Sequence, residues 1–452
     1  MSFPRYPEYK DSQVEWLGSI PSHWKVDRIK ASVQSCRNGI WGEEAQGDTN
    51  DIPCVRVADF DRNKLQVILD EPTIRNVTEK ERANRTLRKG DLLLEKSGGG
   101  EHQPVGCVVL YNDDRPAVCS NFVAKMELSD EMVPSYWRYV HAAAYSIRLT
   151  TGSINQTSGI QNLDQDRYFN ERCVFPPFIE QMAIAEFLDN ETSKIDDLVT
   201  EQELLIGLLK EKRQAAISNA VTKGLDPDVK MKNSGIEWLG DVPELWDVVP
   251  MKRHLKFLTS GSRGWADYYS DTGSLFIRIG NLTREGINLD LSDIQKVEVP
   301  NGAEGARTKV ECGDVLFSIT AYLGSVAVVP ESLEKAYVSQ HVALARLDKS
   351  RLSPEWVAFV VKSIVGKTYL ETQGYGGTKI QLSLDDVANL LIPYPPINEQ
   401  QKIIKYINTT FNEIEALLLE SKKVIEILKE RRLALVSAAV TGQIDVRKLN
   451  AI

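Results

Sequence analysis

A chain of 452 residues that is 42% hydrophobic and 26% charged has the composition of an ordinary globular protein and room for two to four domains, which excludes disorder. No apolar run approaches the roughly 18 residues that a membrane-crossing helix needs, and the opening Met-Ser-Phe-Pro-Arg-Tyr-Pro-Glu has no apolar signal core, so a cytoplasmic protein is expected. The formal net charge of −9 alone argues against a nucleic-acid partner, but its distribution is uneven: 20 basic against 22 acidic residues over 25–172, 16 against 17 over 247–392, 7 against 14 over 173–246 and 9 against 7 over 393–452.

In chain order, the first feature is a lead-in, Glu-Trp-Leu-Gly-Ser-Ile-Pro-Ser-His-Trp at 15–24, which returns as Glu-Trp-Leu-Gly-Asp-Val-Pro-Glu-Leu-Trp at 237–246. Later segments repeat as well. Pro-Pro-Phe-Ile-Glu-Gln at 176–181 returns as Pro-Pro-Ile-Asn-Glu-Gln at 395–400, and Ser-Asn-Ala-Val-Thr at 218–222 as Ser-Ala-Ala-Val-Thr at 437–441. Fainter echoes join Lys-Gly-Asp-Leu-Leu-Leu (89–94) to Cys-Gly-Asp-Val-Leu-Phe (312–317), and Ser120-Asn121-Phe122 to Ser339-Gln340-His341. A period this long denotes a duplicated domain rather than a solenoid. The parsing is a lead-in at 1–24, a globular part at 25–175, a helix at 176–224, a second lead-in at 225–246, a second globular part at 247–394, a second helix at 395–442 and a tail at 443–452.

The globular parts carry short alternating runs such as Cys-Val-Val-Leu-Tyr (107–111) and Ser-Val-Ala-Val-Val (325–329), with turn signals between them. They predict short, largely antiparallel strands plus helices at Pro134–Arg148 and Pro354–Leu370. The fold class is therefore α+β: two pseudo-twofold-related α/β domains separated by two long antiparallel helices forming a coiled-coil spacer.

Each spacer helix follows a Pro-Pro pair and stops before Gly224 or Gly442. Its apolar residues suggest a heptad seam: Ile184, Leu188, Ile195, Leu198, Leu205, Leu209 and Ala216 in the first, and Ile403, Ile407, Ile414, Leu417, Val424, Leu428 and Leu435 in the second. About 45 residues at 1.5 Å each would give a rod of roughly 65 Å with the globular parts at opposite ends. The first lead-in has no helix before it in the sequence. Symmetry places it at the end of the second helix, so that the chain closes on itself.

Signatures of chemistry are weak. Six cysteines form no C-x-x-C pair and five histidines form no ligand cluster, so reduced thiols and no metal are expected. Phe175-Pro176-Pro177-Phe178 lacks the Asp, Asn or Ser that an amino-methyltransferase tetrad places first, and Pro227-Asp228-Val229-Lys230 lacks a second nuclease acid. Two readings remain open from the residues: a DNA reader, or a duplicated coiled-coil scaffold that binds proteins without reading DNA.

The lead-ins, the Pro-Pro-x-x-Glu-Gln segments, the helix ends and Gly-Asp-Leu-Leu-Leu-Glu-Lys-Ser-Gly-Gly-Gly (90–100), in this order and largely twice, resemble the specificity subunit of type I restriction–modification enzymes. The resemblance implies a non-catalytic chain that binds double-stranded DNA. Each globular part would be a target-recognition domain reading one half of a bipartite, asymmetric target. The helices would set the gap and dock two methyltransferase subunits, which bring two restriction subunits. S-adenosylmethionine, ATP and magnesium would belong to those partners; this chain would need no cofactor and touch no membrane.

Base reading requires donors and acceptors on exposed loops. The candidates in the first copy are Arg37, Asn38 and Trp41, the stretch Lys96, Ser97 and Gly98, then Asn121, and Ser153, Asn155, Gln156 and Ser158. The second copy offers Ser262, Arg263 and Trp265, then Thr320 and Tyr322, then Gln340, and Gln373, Tyr375, Thr378 and Lys379. For Trp41 and Trp265 an inward, structural packing is the competing expectation. Arg56 and Arg278 are expected to serve equally well in structural ion pairs.

Overall fold

The computed structural model describes residues 3–157, 159–261, 263–299, 302–373 and 381–449. Two compact units divide the chain: residues 1–202 with 423–452, and residues 203–422. Each is a mixed α/β body with its own core.

In the first unit the main sheet orders its strands Val33–Asn38, Val123–Leu128, Leu92–Glu95, Val108–Leu110, Gln66–Val67 and Phe60–Asp61. Leu92, Leu93 and Leu94 are all buried, the uninterrupted apolar run expected of a strand covered on both faces. One cover is the helix Pro134–Ser146, started by a proline that loses no hydrogen bond at the first turn. Its Tyr136, Trp137 and Tyr139 enter the core beside Leu92, Leu94 and Trp24. The second unit repeats this with strands Leu255–Ser260, Val342–Leu347, Val315–Ser318 and Val326–Val328 under the helix Pro354–Lys362. Pairing is largely antiparallel, as expected, with three parallel pairs among the described residues: Asp51–Val55 with Val118–Cys119, Val108–Leu110 with Gln66–Val67, and Ser274–Ile277 with Ala336–Val338. One feature departs from expectation. The helix expected over Pro354–Leu370 is interrupted at Ser363, whose backbone is extended; a second helix, Ile364–Gln373, follows.

The long helices span Phe178–Lys223 and Ile397–Val440. Within each unit they run antiparallel. In the first, Glu180 faces Arg447 and Asp196 faces Arg432; in the second, Arg213 pairs with Glu415 while Glu399 lies beside Gly224. The seam alternates by three and four residues as expected, but its members differ. Leu198, Leu205 and Leu417 are 44%, 40% and 47% exposed. The inward positions of the first helix are Leu188, Thr192, Ile195, Val199, Ile206, Leu209 and Arg213. Those of the second include Ile407, Ile414, Leu418, Ser421, Ile425, Leu428 and Arg432, with Val424 half-buried. Ile184, Ile403 and Leu435 are buried too. Polar residues therefore occupy seam positions, and nearby leucines face outward.

Each lead-in packs on a helix end. In the first unit Leu17, Ile20 and Trp24 share a core with Ala439, Val440 and Ile444. Gly442 has φ +76°, and a Cβ there would lie 2.3 Å from the Pro21 side chain, so only glycine lets the lead-in approach. The Tyr9 hydroxyl donates to the Gly442 carbonyl at 3.0 Å and Gln443 Nε2 to the Ser19 carbonyl at 2.7 Å. In the second unit Leu239, Val242 and Trp246 pack with Ile217, Ala220 and Val221.

The repeated Glu-Gln pair explains how each domain is fixed to its helix. Gln181 accepts from the Val133 N–H at 3.1 Å and donates to the Pro176 carbonyl at 3.0 Å. Gln400 accepts from the Ser353 N–H at 2.9 Å and donates to the carbonyls of Arg351 at 3.1 Å and Pro395 at 2.9 Å. Glu180 accepts from the Tyr6 hydroxyl at 2.9 Å and Trp24 Nε1 at 3.0 Å, tying the lead-in to the same helix start.

Candidate nucleic-acid interface

Register decides which loops meet. In the first unit Asn38 is opposite Ala124 and Glu95 opposite Val123, so three loops leave the sheet at the same end. They are knitted through the backbone: Gly39 N–H to the Val123 carbonyl (2.9 Å), Ile40 N–H to Cys119 (2.7 Å), and Lys96 N–H to Phe122 (2.8 Å). A Cβ at Gly39 would sit 1.9 Å from the Cys119 carbonyl oxygen, which makes glycine obligatory at this crossing. Arg37, Asn38 and Asn121 are exposed. Trp41 is 38% exposed, and the Arg75 guanidinium lies 4.5 Å from its ring centre while donating to the Trp41 and Gly42 carbonyls at 3.0 Å. The cation holds the indole at the surface rather than letting it turn inward.

The Lys96 and Asn155 stretches, distant in sequence, are joined in one small sheet. Ser97–Gly98 pairs with Ile160–Leu163, which pairs with Ile154–Thr157. Asn155 and Asn162 are cross-strand partners, both exposed, and the Ser97 hydroxyl donates to Asn162 Oδ1 at 2.6 Å. Lys96 Nζ donates to Gln165 Oε1 at 3.0 Å. Gln156 is exposed beside them. Ser153 is fully buried and is removed from the candidates, because a hydroxyl inside the core cannot reach a base. Ser158 lies outside the described residues.

The second unit has the same geometry. Ser260 is opposite Ala343 and Ser318 opposite Val342, so Gly261 and the loops at 319–325 and 339–341 share one end. Gly261 meets the Val338 carbonyl oxygen as Gly39 meets that of Cys119, with a Cβ-to-oxygen approach of 2.0 Å. Arg263 and Gln340 are exposed, and Gln340 hydrogen-bonds His341 at 3.0 Å. Tyr322 is 58% exposed. Thr320 is buried and bridged to Gln381, and Trp265 is 3% exposed among Phe276, Val297 and Tyr337. Both are corrections: their side chains serve packing. Gln373 is exposed at the end of its helix, whereas Ser262, Tyr375, Thr378 and Lys379 lie outside the described residues.

Arg56 and Arg278 stand at equivalent short turns, paired with Asp59 at 2.9 Å and Asp293 at 3.1 Å, as a structural role requires. Burial pushes the Asp91 carboxyl upward, opposed by its hydrogen bond from the Arg88 N–H and by Lys125 Nζ at 3.3 Å. Its counterpart Asp314 holds Arg346 at 2.8 Å. These buried pairs pin the central strands beneath the loops. Sequence reasoning missed Arg75, Asn162 and Phe122, the last exposed at the loop crossing. The adjacent Asn121 marked the place of Phe122, and the spacing of Asn155 and Asn162 about a glycine was the available hairpin signal.

In each unit, then, a mixed sheet domain seated on two antiparallel helix segments gathers exposed polar loops at one sheet end. This is one build made twice. Residues 247–426 match the family model of the type I restriction modification DNA specificity domain. A Methanocaldococcus jannaschii chain assigned as the specificity subunit of type I restriction enzyme MjaX is 22% identical over 99% of both chains. The EcoBI specificity subunit of Escherichia coli is 26% identical over 66% of this chain and 63% of its own. Among solved structures, a chain of a type I restriction–modification system superposes with a TM-score of 0.72, at 15% identity over 94% of this chain and 99% of its own. The HsdS subunit of Thermoanaerobacter tengcongensis gives 0.55, at 15% identity over 94% and 98%. Over almost its whole length the chain is similar to specificity subunits of type I restriction–modification enzymes.

Proposed function

We propose that this chain chooses the DNA site of a type I restriction–modification complex and performs no chemistry itself. One observation carries the reading: both units offer loops at the same sheet end on equivalent strands, yet with unlike residues, Arg37, Asn38 and Trp41 in one and Arg263 and Tyr322 in the other. A repeated scaffold with unlike loops suits two unlike half-sites. In the first unit, the ribbon 154–163 carrying Asn155, Gln156 and Asn162 is the best candidate reader. A two-stranded ribbon fits the major groove, and Asn or Gln can bond adenine bidentately. The two long helices would set the gap and dock two methyltransferase subunits, which recruit two restriction subunits. The methyl donor S-adenosylmethionine, with ATP and magnesium, would be used by those partners.

The test is a methylation map. The chain is co-expressed with its methyltransferase partner in a host lacking such systems, and methyl-adenine is read across the genome. A new two-part motif should appear, and exchanging residues 25–175 should change one half only. If the partner is active with another specificity chain yet yields no motif with this one, a protein-binding scaffold replaces the reader.

A further inference from the structure

The two units contain equivalent corners whose charge has diverged. In each, a seam arginine reaches the loop after the Arg56-type or Arg278-type turn. Arg432 donates to the Asn63 carbonyl and sits 3.3 Å from Asp196; Arg213 pairs with Glu415 and, at 3.1 Å, with Glu285. A second arginine six residues past the turn, Arg62 or Arg284, lines a cavity of about 310 Å³ in the first unit and about 360 Å³ in the second.

In the first unit Arg62 is neutralised by the buried Glu95 at 2.8 Å, and Ala142 lines the wall. In the second unit the position of Glu95, four residues past the repeated Gly-Asp, is Ser318. The position of Ala142, eight residues past the helix proline, is Lys362. The buried carboxylate is lost and a cation gained at this corner, while Asn63 gives way to Glu285, whose charge is taken up by Arg213. Among the described residues no ion pair joins Arg284 or Lys362 to a carboxylate. Arg284 instead lies 3.6 Å from the ring centre of Tyr322. Lys362 is nine-tenths buried, with Nζ donating to the Thr283 carbonyl at 2.6 Å. Burial, followed by repulsion from Arg213 and only partly offset by Glu285, pushes its ammonium down to about 8, so a further anion beside it would relieve it. Lys210 and Lys367 also line the cavity, as does one carboxylate, Glu285, which Arg213 engages at 3.1 Å.

The wall bearing Tyr322 is preset. Ala321 and Tyr322 have φ +52° and +47°, a region that non-glycine residues occupy only where the surroundings over-determine it. The surroundings here are the Ser318 hydroxyl, which donates to the carbonyls of Ala321 at 2.7 Å and Thr320 at 3.0 Å. The residue that removes the carboxylate also fixes the turn.

We propose that this cavity of the second unit binds a phosphate group, held by Arg284, Lys362 and Lys210 against the Tyr322 ring, with the backbone of duplex DNA as its source. The choice of DNA rests on the function proposed above; the phosphate site does not. The full-length chain is titrated with pyrophosphate by calorimetry and with a short duplex across a range of salt. Arg284→Gln changes an exposed side chain, and Lys362→Met preserves volume; matching thermal transitions establish that both variants fold. Each variant should weaken pyrophosphate binding at least several-fold. Arg284→Gln should also lower the slope of log K against log salt by about 0.9, one phosphate contact. Weaker pyrophosphate binding with an unchanged slope would keep the site and overturn DNA as its source. The same holds if the unmodified chain binds pyrophosphate but no duplex, while the DNA-reading function is judged separately by the methylation map. Unchanged pyrophosphate binding and an unchanged slope in both folded variants would overturn the proposal.

Discussion

Replacing Gln400 by alanine tests whether each domain is stapled to its helix by one side chain. Gln400 is fully buried and serves one N–H and two carbonyls. Its removal strands these groups where water is excluded, at about 1–3 kcal/mol for each that stays unsatisfied. Carbonyls retain a second lone pair, so about 3 kcal/mol in total is the expected loss. At about 2–4 °C per kcal/mol for a body of this size, the transition of the unit 203–422 should fall by about 6–12 °C. Calorimetry resolves the shift. Hydrogen exchange locates it, with faster exchange in the helix Pro354–Lys362 and little change in Pro134–Ser146. Gln181→Ala should produce the converse pattern. A shift below about 2 °C, or equal acceleration in both units, would refute the reasoning.

His141 is fully buried, with Nδ1 2.8 Å from the Tyr168 hydroxyl, and burial pushes its pKa down to about 3. Its folded pKa lies below the unfolded value near 6.5, so its contribution is intact above about 6.5 and is lost as pH falls towards 3, at about 1.4 kcal/mol per pH unit. His141→Gln, which keeps a partner for Tyr168 without a titrating group, should flatten that limb in a denaturant series across pH. Gly39→Ala and Gly261→Ala should each destabilise their own unit by about 1–3 kcal/mol in chemical denaturation, since a carbonyl oxygen occupies the methyl's place. Asn155→Ala with Asn162→Ala should relax one base position of one half-site, by about 1–3 kcal/mol of discrimination, in the methylation map. An unchanged motif would remove the ribbon from the reading surface.

What the sequence made legible follows from repetition. The lead-ins, Pro-Pro starts and glycine stops recur because packing at Trp24 and Trp246, Gln181 and Gln400 is the same in both copies. The seam was harder to read. Thr192, Ser421 and two arginines stand at inward positions, where their polar ends find carbonyls or carboxylates, while Leu198, Leu205 and Leu417 offered a false apolar stripe. Loop exposure was least legible. Trp41 and Trp265 look alike in sequence, but only the first has an arginine stacked on its outer face; the second found Phe276 and Tyr337 within reach. Ser153 and Thr320 are polar in type but buried by long-range packing that short-range pattern does not encode.

The division of the chain at 202 and 423 governs the order in which synthesis can complete it. The unit 203–422 is one continuous stretch and has all its parts once residue 422 has emerged. The first unit needs Leu428, Leu435, Val436, Ala439, Val440 and Ile444 for its core, and its Pro4 carbonyl accepts from the Asp445 N–H at 2.8 Å. At about 5–20 residues per second, the ribosome needs about 1–5 s beyond residue 422 to supply them. The domain made first is thus the last to close, its core of Trp24, Ile184 and Leu188 lacking its share from 428–444 until the final turns of helix arrive. A chain that stops before those turns leaves that apolar face uncovered.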